Sequence, residues 1–245
     1  MASVTGARSP HCQSAGPVAK MTLYLKSRIG PVLFCLFTLS PIHTGQAAEQ
    51  QVFHAYLDAL PVFWQRIYPE GGRTLYCDEK FAAYHGHSIN IEHVFPMAWA
   101  MRDEGCRSRK LCREVSERFN RIEADMHNLY PARSDINKIR RSFPYAEIAG
   151  EKREFGRCDF EFHPRQRVVE PRPASRGNIA RALLYMHDAY GLTLFRRQGE
   201  LMKKWNRDDP PDAEERRRNE LIAQYQGTRN RFIDNPAAAE ALVFK

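Results

Sequence analysis

The chain has 245 residues, which is long enough for one domain with a sizeable hydrophobic core or for two small ones. Hydrophobic residues make up 43% of it and charged residues 27%, the proportions of an ordinary soluble globular protein. The formal charge is +8, but setting residues 1–48 aside leaves 33 basic against 29 acidic side chains. So modest an excess excludes nucleic-acid binding through bulk charge alone and assigns any such binding to local basic patches.

Residues 1–48 are predicted to be a leader and signal peptide that directs export, with Met21 as an alternative start of the chain. Two basic side chains precede a short apolar stretch over residues 29–42, and small residues at 45–48 form a cleavage site. The apolar stretch is shorter than the ~20 residues that a membrane-spanning helix needs. We therefore predict a periplasmic or secreted protein without stable membrane association after signal cleavage.

The first half of the mature chain alternates helical and extended patterns. Apolar residues at helical spacing predict a helix over residues 50–68, and a similar spacing predicts another over residues 112–126. Between them, residues 74–84 are predicted to form a strand or an irregular hairpin, and residues 88–93 a second strand. This order agrees with a strand–strand–helix unit.

The second half is predicted to be mainly helical. Ser175 is a candidate cap for a helix over residues 177–190, and further helices are predicted over residues 196–205 and 214–225. The Ala-rich segment beyond Asn235 is expected to fray. The predicted fold class is α+β, with a mainly helical domain.

Four cysteines remain in the mature part, namely Cys77, Cys106, Cys112 and Cys158. An even number in an exported chain is typical of disulfide bonds, and four cysteines allow three pairings. A zinc site is the alternative, but the chain lacks the paired Cys-x-x-Cys spacing that such sites use. We therefore predict disulfides, whose pairing the spacing leaves open.

Two short clusters carry the residues that phosphodiester hydrolysis needs. Glu92 and His93 lie in residues 91–96, and Asn128 lies in residues 125–131. An imidazole can take a proton from an attacking water, while a hard cation neutralises charge on the phosphate and the departing oxygen. We predict His93 as the general base, and Glu92 and Asn128 as oxygen ligands of a single Mg²⁺. The alternatives are a packed histidine, a surface acid and a helix-cap amide.

Other residues near these clusters have less specific roles. His127 is a candidate for orienting the metal ligands without binding the metal itself, although a structural hydrogen bond to the adjoining strands is the stronger alternative. Asp125 is interpreted as a cap or salt-bridge partner, and Glu114 as a weak candidate for supporting the site. Phe95 and Trp99 are interpreted as core residues rather than as a platform for stacking bases.

These motifs resemble the signature of the endonuclease I family of periplasmic and secreted bacterial nucleases. That signature runs Glu-His-Val-hydrophobic-Pro-Ala-Trp, followed some three dozen residues later by Asp-Met-His-Asn-Leu. Residues 92–99 fit its first part apart from the inserted Met97, and residues 125–129 fit its second part. Residues 175–194 are similar to the family's Arg-Gly-x-Ile-Ala-Arg helix and the turn after it. The resemblance covers residues 52–226.

The resemblance implies a ββα-metal (His-Me finger) core and an endonuclease that requires Mg²⁺. Mn²⁺ or Ca²⁺ can occupy the same site. The implied substrate is DNA, with RNA as a further candidate, cleaved with little sequence preference to give 5′-phosphate products. The resemblance favours two disulfides, Cys106–Cys112 and Cys77–Cys158. It also matches Arg109 to the arginine that steadies the cleaved phosphate, because both stand three residues before the second cysteine of a loop; Arg107 and Arg113 are the alternatives.

Residues 49–235 are thus predicted to form one nuclease domain, followed by a C-terminal tail over residues 236–245, and the protein is expected to act as a monomer. The alternative from another class is a secreted nucleic-acid-binding protein that has lost catalysis. It would hold DNA through basic patches within residues 107–118 and 138–141. Turnover of a polynucleotide distinguishes the two.

Overall fold

A computed structural model describes residues 45–150 and 152–245. The predicted leader lies outside these residues except for its last four positions, as does the alternative start at Met21. Within the two described ranges, no helix is long and apolar enough to cross a membrane.

Helices alternate with short pairs of antiparallel strands. The helices are α1 (Tyr56–Val62), α2 (Met97–Asp103), α3 (Arg109–Val115), α4 (Glu117–Ala124), α5 (Ser134–Arg140), α6 (Arg176–Tyr190), α7 (Arg196–Asp208), α8 (Ala213–Gln226) and α9 (Arg231–Asp234). The strands are β1 (Gly72–Arg73), β2 (Lys80–Phe81), β3 (Ile89–His93), β4 (Leu129–Arg133), β5 (Phe160–His163) and β6 (Val168–Pro171). They pair as β1–β2, β3–β4 and β5–β6. The predicted α+β class is therefore confirmed, with helices predominating.

The strand that carries Glu92 and His93 pairs with a strand downstream of it. In the β3–β4 ladder Glu92 lies opposite Tyr130 and His93 opposite Leu129. Helix α5 follows β4 directly and packs on both strands. The irregular hairpin predicted around residues 74–84 is formed by β1 and β2, but it does not pair with β3. The strand that pairs with β3 is β4, which follows α2, α3 and α4 along the chain.

The β3–β4 ladder separates two hydrophobic clusters, because successive side chains of a strand point to opposite faces. Tyr130 and Ala132 belong to the larger cluster, which includes most of α6. Leu129 and Ile91 contact the smaller cluster, which includes residues of α1. Glu92 and His93 therefore project in opposite directions from the end of β3.

The helices after residue 170 follow the prediction closely, and α6, α7 and α8 occupy the predicted positions. The N-terminal helices do not. Helix α1 begins only at Tyr56 and continues as the wider turn Phe63–Ile67. The helix predicted over residues 112–126 is interrupted at Ser116, whose hydroxyl accepts a 3.0 Å hydrogen bond from the Phe119 amide and so starts α4 anew.

Two disulfides join Cys77 to Cys158 and Cys106 to Cys112, the pairing that the resemblance favoured. The first ties the segment after β1 to the segment before β5. The second closes the short loop in which α3 begins. Among the described residues, no group of three or more histidine, cysteine or acidic side chains could hold a metal ion, so the structure gives no support to the zinc alternative.

The C-terminal tail was predicted to fray, and this is wrong. Phe244 is buried, and its ring lies against Gly199 of α7, where an added Cβ would come within 2.3 Å of the ring. The Lys203 ammonium donates to the main-chain oxygens of Glu240 at 3.1 Å and Leu242 at 2.8 Å. The tail is therefore packed on α7 because a large aromatic side chain and several backbone groups find partners there.

Candidate active site

His93 is the last residue of β3, and its imidazole is held by a main-chain oxygen. Nε2 lies 2.9 Å from the carbonyl oxygen of Glu123, near the end of α4. A carbonyl can only accept, so Nε2 carries the proton and, in the neutral ring, Nδ1 is the acceptor. Burial, with help from the positive charge of Arg109, lowers the pKa of His93 to about 4. The ring is therefore neutral near pH 7, with Nδ1 able to take a proton.

Glu123 also organises two arginines. Its fully buried carboxylate accepts hydrogen bonds from Arg109 and from Arg113, the latter at 2.7 and 2.8 Å. Burial raises the pKa of Glu123, but the bonds from Arg113 and the charge of Arg109 outweigh this and lower it overall. Both arginine side chains remain about two-fifths exposed. They are thus anchored on one side and open on the other, as groups that bind a phosphate need to be.

Tyr56 contacts both the proposed base and Arg109. Its ring centre is 5.1 Å from that of His93 and 5.9 Å from the guanidinium carbon of Arg109. Burial raises the pKa of Tyr56 to about 12, against the opposing charge of Arg109. Its hydroxyl has no hydrogen-bond partner among the described residues. Tyr56 lies within the helix predicted over residues 50–68, and nothing in its local sequence distinguishes it.

Glu92 lies on the opposite face of β3, inside a buried polar cluster. Its Oε1 accepts a hydrogen bond from the Tyr76 hydroxyl at 2.9 Å and pairs with Arg140 Nε at 3.2 Å. The alternative of an ordinary surface acid is therefore wrong, since Glu92 is only 3% exposed. Burial raises its pKa to about 7, although the charge of Arg140 opposes the shift. Both contacts use Oε1, so Oε2 accepts no hydrogen bond from a described residue.

Arg140 and two tyrosines complete this cluster. The Tyr76 and Tyr145 hydroxyls are 2.7 Å apart, and Arg140 donates to the Tyr145 hydroxyl at 3.2 Å. Arg140 also donates to the Val94 carbonyl at 2.7 Å, next to the end of β3. Arg140 was assigned from sequence to an exposed basic patch, but it is fully buried. Its guanidinium instead fixes Glu92 and the backbone beside it.

Asn128 joins the ends of the two strands. Its Oδ1 accepts from the Phe95 amide at 2.6 Å, its Nδ2 donates to the Phe95 carbonyl at 3.0 Å, and its own carbonyl accepts from the Val94 amide at 3.0 Å. It is fully buried and is not a simple helix cap. A carbonyl oxygen has two lone pairs, so the Phe95 amide leaves one of them on Oδ1. Glu92 Oε2 and Asn128 Oδ1 are hard oxygen donors of the kind that suits Mg²⁺.

His127 and Asp125 have structural roles. His127 Nε2 lies 3.1 Å from the Thr228 carbonyl, and its ring packs 4.5 Å from that of Tyr185. The predicted hydrogen bond to the adjoining strands is thus replaced by one to the loop after α8. Asp125 accepts from the His127 amide at 2.9 Å and from Tyr190 at 2.7 Å. It caps the turn that carries Asn128, as predicted.

The side chains of the remaining candidates do not contribute to the site. Glu114 is exposed and, among the described residues, pairs with Lys110 at 3.9 Å, whereas Glu123 is the acidic side chain that binds Arg109 and Arg113. Sequence reasoning missed Glu123, which looks like one more charged residue of an amphipathic helix. Phe95 is fully buried, in agreement with its interpretation as core, whereas Trp99 is partly exposed and donates from Nε1 to the Ser142 carbonyl at 3.1 Å.

Comparison with known proteins identifies sequences of similar length. The family model described as Endonuclease I matches residues 72–237. The chain is 34% identical over 234 residues to a periplasmic deoxyribonuclease of Aeromonas hydrophila, which covers 83% of this chain and 94% of that protein. It is 41% identical over 155 residues to an extracellular deoxyribonuclease of the same organism, covering 60% and 65% of the two chains. An Endonuclease-1 of Buchnera aphidicola is 33% identical over 149 residues, or 59% of each chain.

Proposed function

Because the chain belongs to the endonuclease I family, and so to a family of nucleases, we propose that it is a periplasmic or secreted, Mg²⁺-dependent endonuclease. In this proposal it hydrolyses phosphodiester bonds of DNA, and also of RNA, with little sequence preference and leaves 5′-phosphates. It acts as a monomer, and Mn²⁺ or Ca²⁺ can take the place of Mg²⁺. The unit formed by β3, β4 and α5 would be its ββα-metal (His-Me finger) core.

The observation that carries the proposal is the hydrogen bond between His93 Nε2 and the Glu123 carbonyl, at 2.9 Å. It fixes the tautomer in which Nδ1 accepts a proton, and the low pKa keeps the ring neutral. Nδ1 takes the proton of the attacking water as the water's oxygen approaches phosphorus. Because the Glu123 oxygen belongs to the main chain, this positioning does not depend on a side-chain conformation.

Arg109 binds a non-bridging oxygen of the attacked phosphate in this mechanism, with Arg113 beside it. The shared carboxylate of Glu123 keeps both guanidiniums on the His93 side of β3. Charge-assisted hydrogen bonds to a phosphate strengthen as negative charge builds up in the transition state. We assign the phosphate contact to Arg109 and not to Arg113, because of the two only Arg109 has its guanidinium against the Tyr56 ring, which also contacts His93.

Glu92 and Asn128 would hold the cation. When bound, a cation would supply charge stabilisation for the departing 3′-oxygen and the phosphate. Tyr76 and Arg140 keep the Glu92 carboxylate oriented by holding Oε1 alone. Phe95 orients the Asn128 amide through both of its polar atoms, so that neither ligand has to be ordered when the cation binds.

The test is cleavage of supercoiled plasmid by the mature protein in Mg²⁺ or in excess EDTA, with His93→Ala and His87→Ala beside it. His87 is exposed and serves as a matched control. We expect His93→Ala to lose roughly 10²- to 10⁴-fold in rate, and EDTA to abolish cleavage, while His87→Ala cuts normally. A folded wild-type protein that binds DNA without cutting it would instead support the alternative of a binding protein that has lost catalysis.

A further inference from the structure

A basic groove lies between the end of α5 and the turn that joins β5 to β6. Lys138, Arg141 and Arg167 form its rim, and Phe143 and Phe162 form its apolar wall, around a volume of about 450 Å³. No acidic side chain lines it. Lys138 and Arg141 belong to the basic patch predicted within residues 138–141, and Arg167 joins them from a distant part of the chain. We call this feature the basic groove.

The three cations of the basic groove are not neutralised by the protein. No carboxylate among the described residues pairs with Lys138, Arg141 or Arg167, and all three side chains are exposed. The basic patch over residues 107–118 is partly neutralised, because two of its arginines, Arg109 and Arg113, both pair with Glu123. Unpaired cations around a recess create a positive potential that an anionic ligand can use.

The aromatic wall orients the arginines. The Phe143 and Phe162 rings stack with centres 5.4 Å apart and planes within 7°. The guanidinium carbons of Arg141 and Arg167 lie 5.9 and 5.3 Å from the Phe143 ring centre. A guanidinium that rests on a ring loses less freedom on binding and still presents its edge, where the N–H groups that bind phosphate lie.

The backbone places both arginines at a cost. Arg141 has φ 51° and Arg167 has φ 55°, and Asp78 is the one other non-glycine residue of the described ranges with positive φ. Such conformations are unfavourable for a residue with a Cβ, and they persist where the surrounding structure requires them. Two of them occur at the two arginines of one groove, although glycine would relieve the strain at either position.

The end of α5 links the basic groove to the proposed active site. Arg141 follows Arg140, whose buried guanidinium binds Glu92 Oε1 and the Val94 carbonyl. At the end of α5, Arg140 therefore binds the proposed metal ligand Glu92, and the next residue, Arg141, lines the basic groove. A chain-like substrate that extends from the proposed active site along α5 would reach the groove.

From these observations we infer that the basic groove binds the phosphate backbone of the substrate strand away from the cleaved bond. This inference rests on the proposed function, because it assigns the groove to the same polynucleotide. Arg141 and Arg167 contact phosphate oxygens, Lys138 contributes a third positive charge, and the exposed part of Phe162 contacts sugar or base. None of these contacts reads sequence, which agrees with a nuclease of little sequence preference.

The test measures binding separately from cleavage. In the His93→Ala background, the affinity for a long and for a very short fluorescent single-stranded oligonucleotide is measured by anisotropy over a range of salt concentrations. The variants are Arg141→Gln, Arg167→Gln and the triple variant that adds Lys138→Gln. Arg165→Gln is the matched control, because Arg165 is exposed on the same turn but does not line the groove. Thermal unfolding of each variant verifies that it is folded.

We expect the triple variant to bind the long strand roughly 10- to 100-fold more weakly, with a salt slope shallower by about 2, since each phosphate contact to a single strand contributes about 0.7. The very short strand should lose much less, and Arg165→Gln should bind normally. Equal losses for both lengths, or no loss in any folded groove variant, would overturn the inference. If a groove variant fails to fold, the single variant Lys138→Gln on α5 is measured in its place. Weaker binding of the long strand would then support the inference, and unchanged binding would overturn it. Wild-type protein that binds but does not cut would contradict the proposed function and not this inference.

Discussion

The main-chain oxygen of Glu123 lies 2.9 Å from His93 Nε2, while the carboxylate of the same residue binds the guanidiniums of Arg109 and Arg113. One residue at the end of α4 therefore positions the proposed base through its backbone and the proposed phosphate-binding groups through its side chain. Substituting the Glu123 side chain should disturb the second function and spare the first. This separation makes the two contributions measurable.

Glu123→Gln is expected to lower kcat/KM by roughly 10- to 100-fold, because a neutral amide holds the two guanidiniums less firmly and a charged hydrogen bond contributes about 1.5–3 kcal/mol. The His93 hydrogen bond should persist, since its acceptor is a backbone oxygen. Steady-state cleavage of a labelled oligonucleotide gives the kinetic constants. Glu117→Gln, on the same helix, is the control. A Glu123→Gln enzyme with wild-type kinetics would remove the arginine pair from the mechanism.

Glu123 should also make stability depend on pH in the acid range. Its pKa is lowered in the folded protein, so the unfolded chain binds its proton more readily as the pH falls. Its contribution to the free energy of unfolding is therefore complete above its ordinary pKa and disappears as the pH falls through the lowered folded value. Chemical denaturation of the wild type and of Glu123→Gln should show a stability gap at pH 7 that narrows steadily below pH ~4.5. A gap that widened in acid would contradict this assignment.

Tyr56→Phe tests a residue that no motif identified. Its hydroxyl has no partner among the described residues, so removing it should leave the unfolding temperature unchanged. If the hydroxyl donates to the bound phosphate, kcat/KM should fall by about 5- to 10-fold, the effect of one hydrogen bond of about 1 kcal/mol. Tyr84→Phe is the control, since Tyr84 is 92% exposed. Unchanged kinetics in Tyr56→Phe together with a severe loss in Tyr56→Ala would restrict Tyr56 to packing against His93.

Residues of the proposed site that occur in short sequence motifs could be predicted, whereas residues brought to it by distant helices could not. Glu92, His93 and Asn128 could be proposed from the sequence because they occur in two short motifs. Tyr56 and Glu123 reach the same place only through the packing of α1 and α4 around the β3–β4 ladder. On its own helix each looks like an ordinary member of an amphipathic pattern, so no local signal could have identified them.

The fold shows the same division. Helices α6, α7 and α8 were predicted nearly to the residue, because helical periodicity and caps are local. The strand that pairs with β3 was not predicted, because Glu92 and Tyr130 come together only after the helices that separate them in the sequence have folded. The burial of Glu92 and Arg140 followed from that pairing and from α5, and an acid and an arginine read alone are expected at the surface.

The C-terminal tail should contribute measurably to stability, contrary to what its Ala-rich sequence suggests. Phe244→Ala is expected to lower the free energy of unfolding by about 3 kcal/mol, because it empties a site closed by α7 at Gly199. Val243→Ala, at a side chain that is 83% exposed, should change it by less than about 0.5 kcal/mol. Urea unfolding of both variants measures the difference. Because the tail packs on α7 and not on β3, kcat for oligonucleotide cleavage should be the same in both variants below their unfolding transitions. Equal stability of Phe244→Ala and the wild type would mean that the tail is not packed in solution.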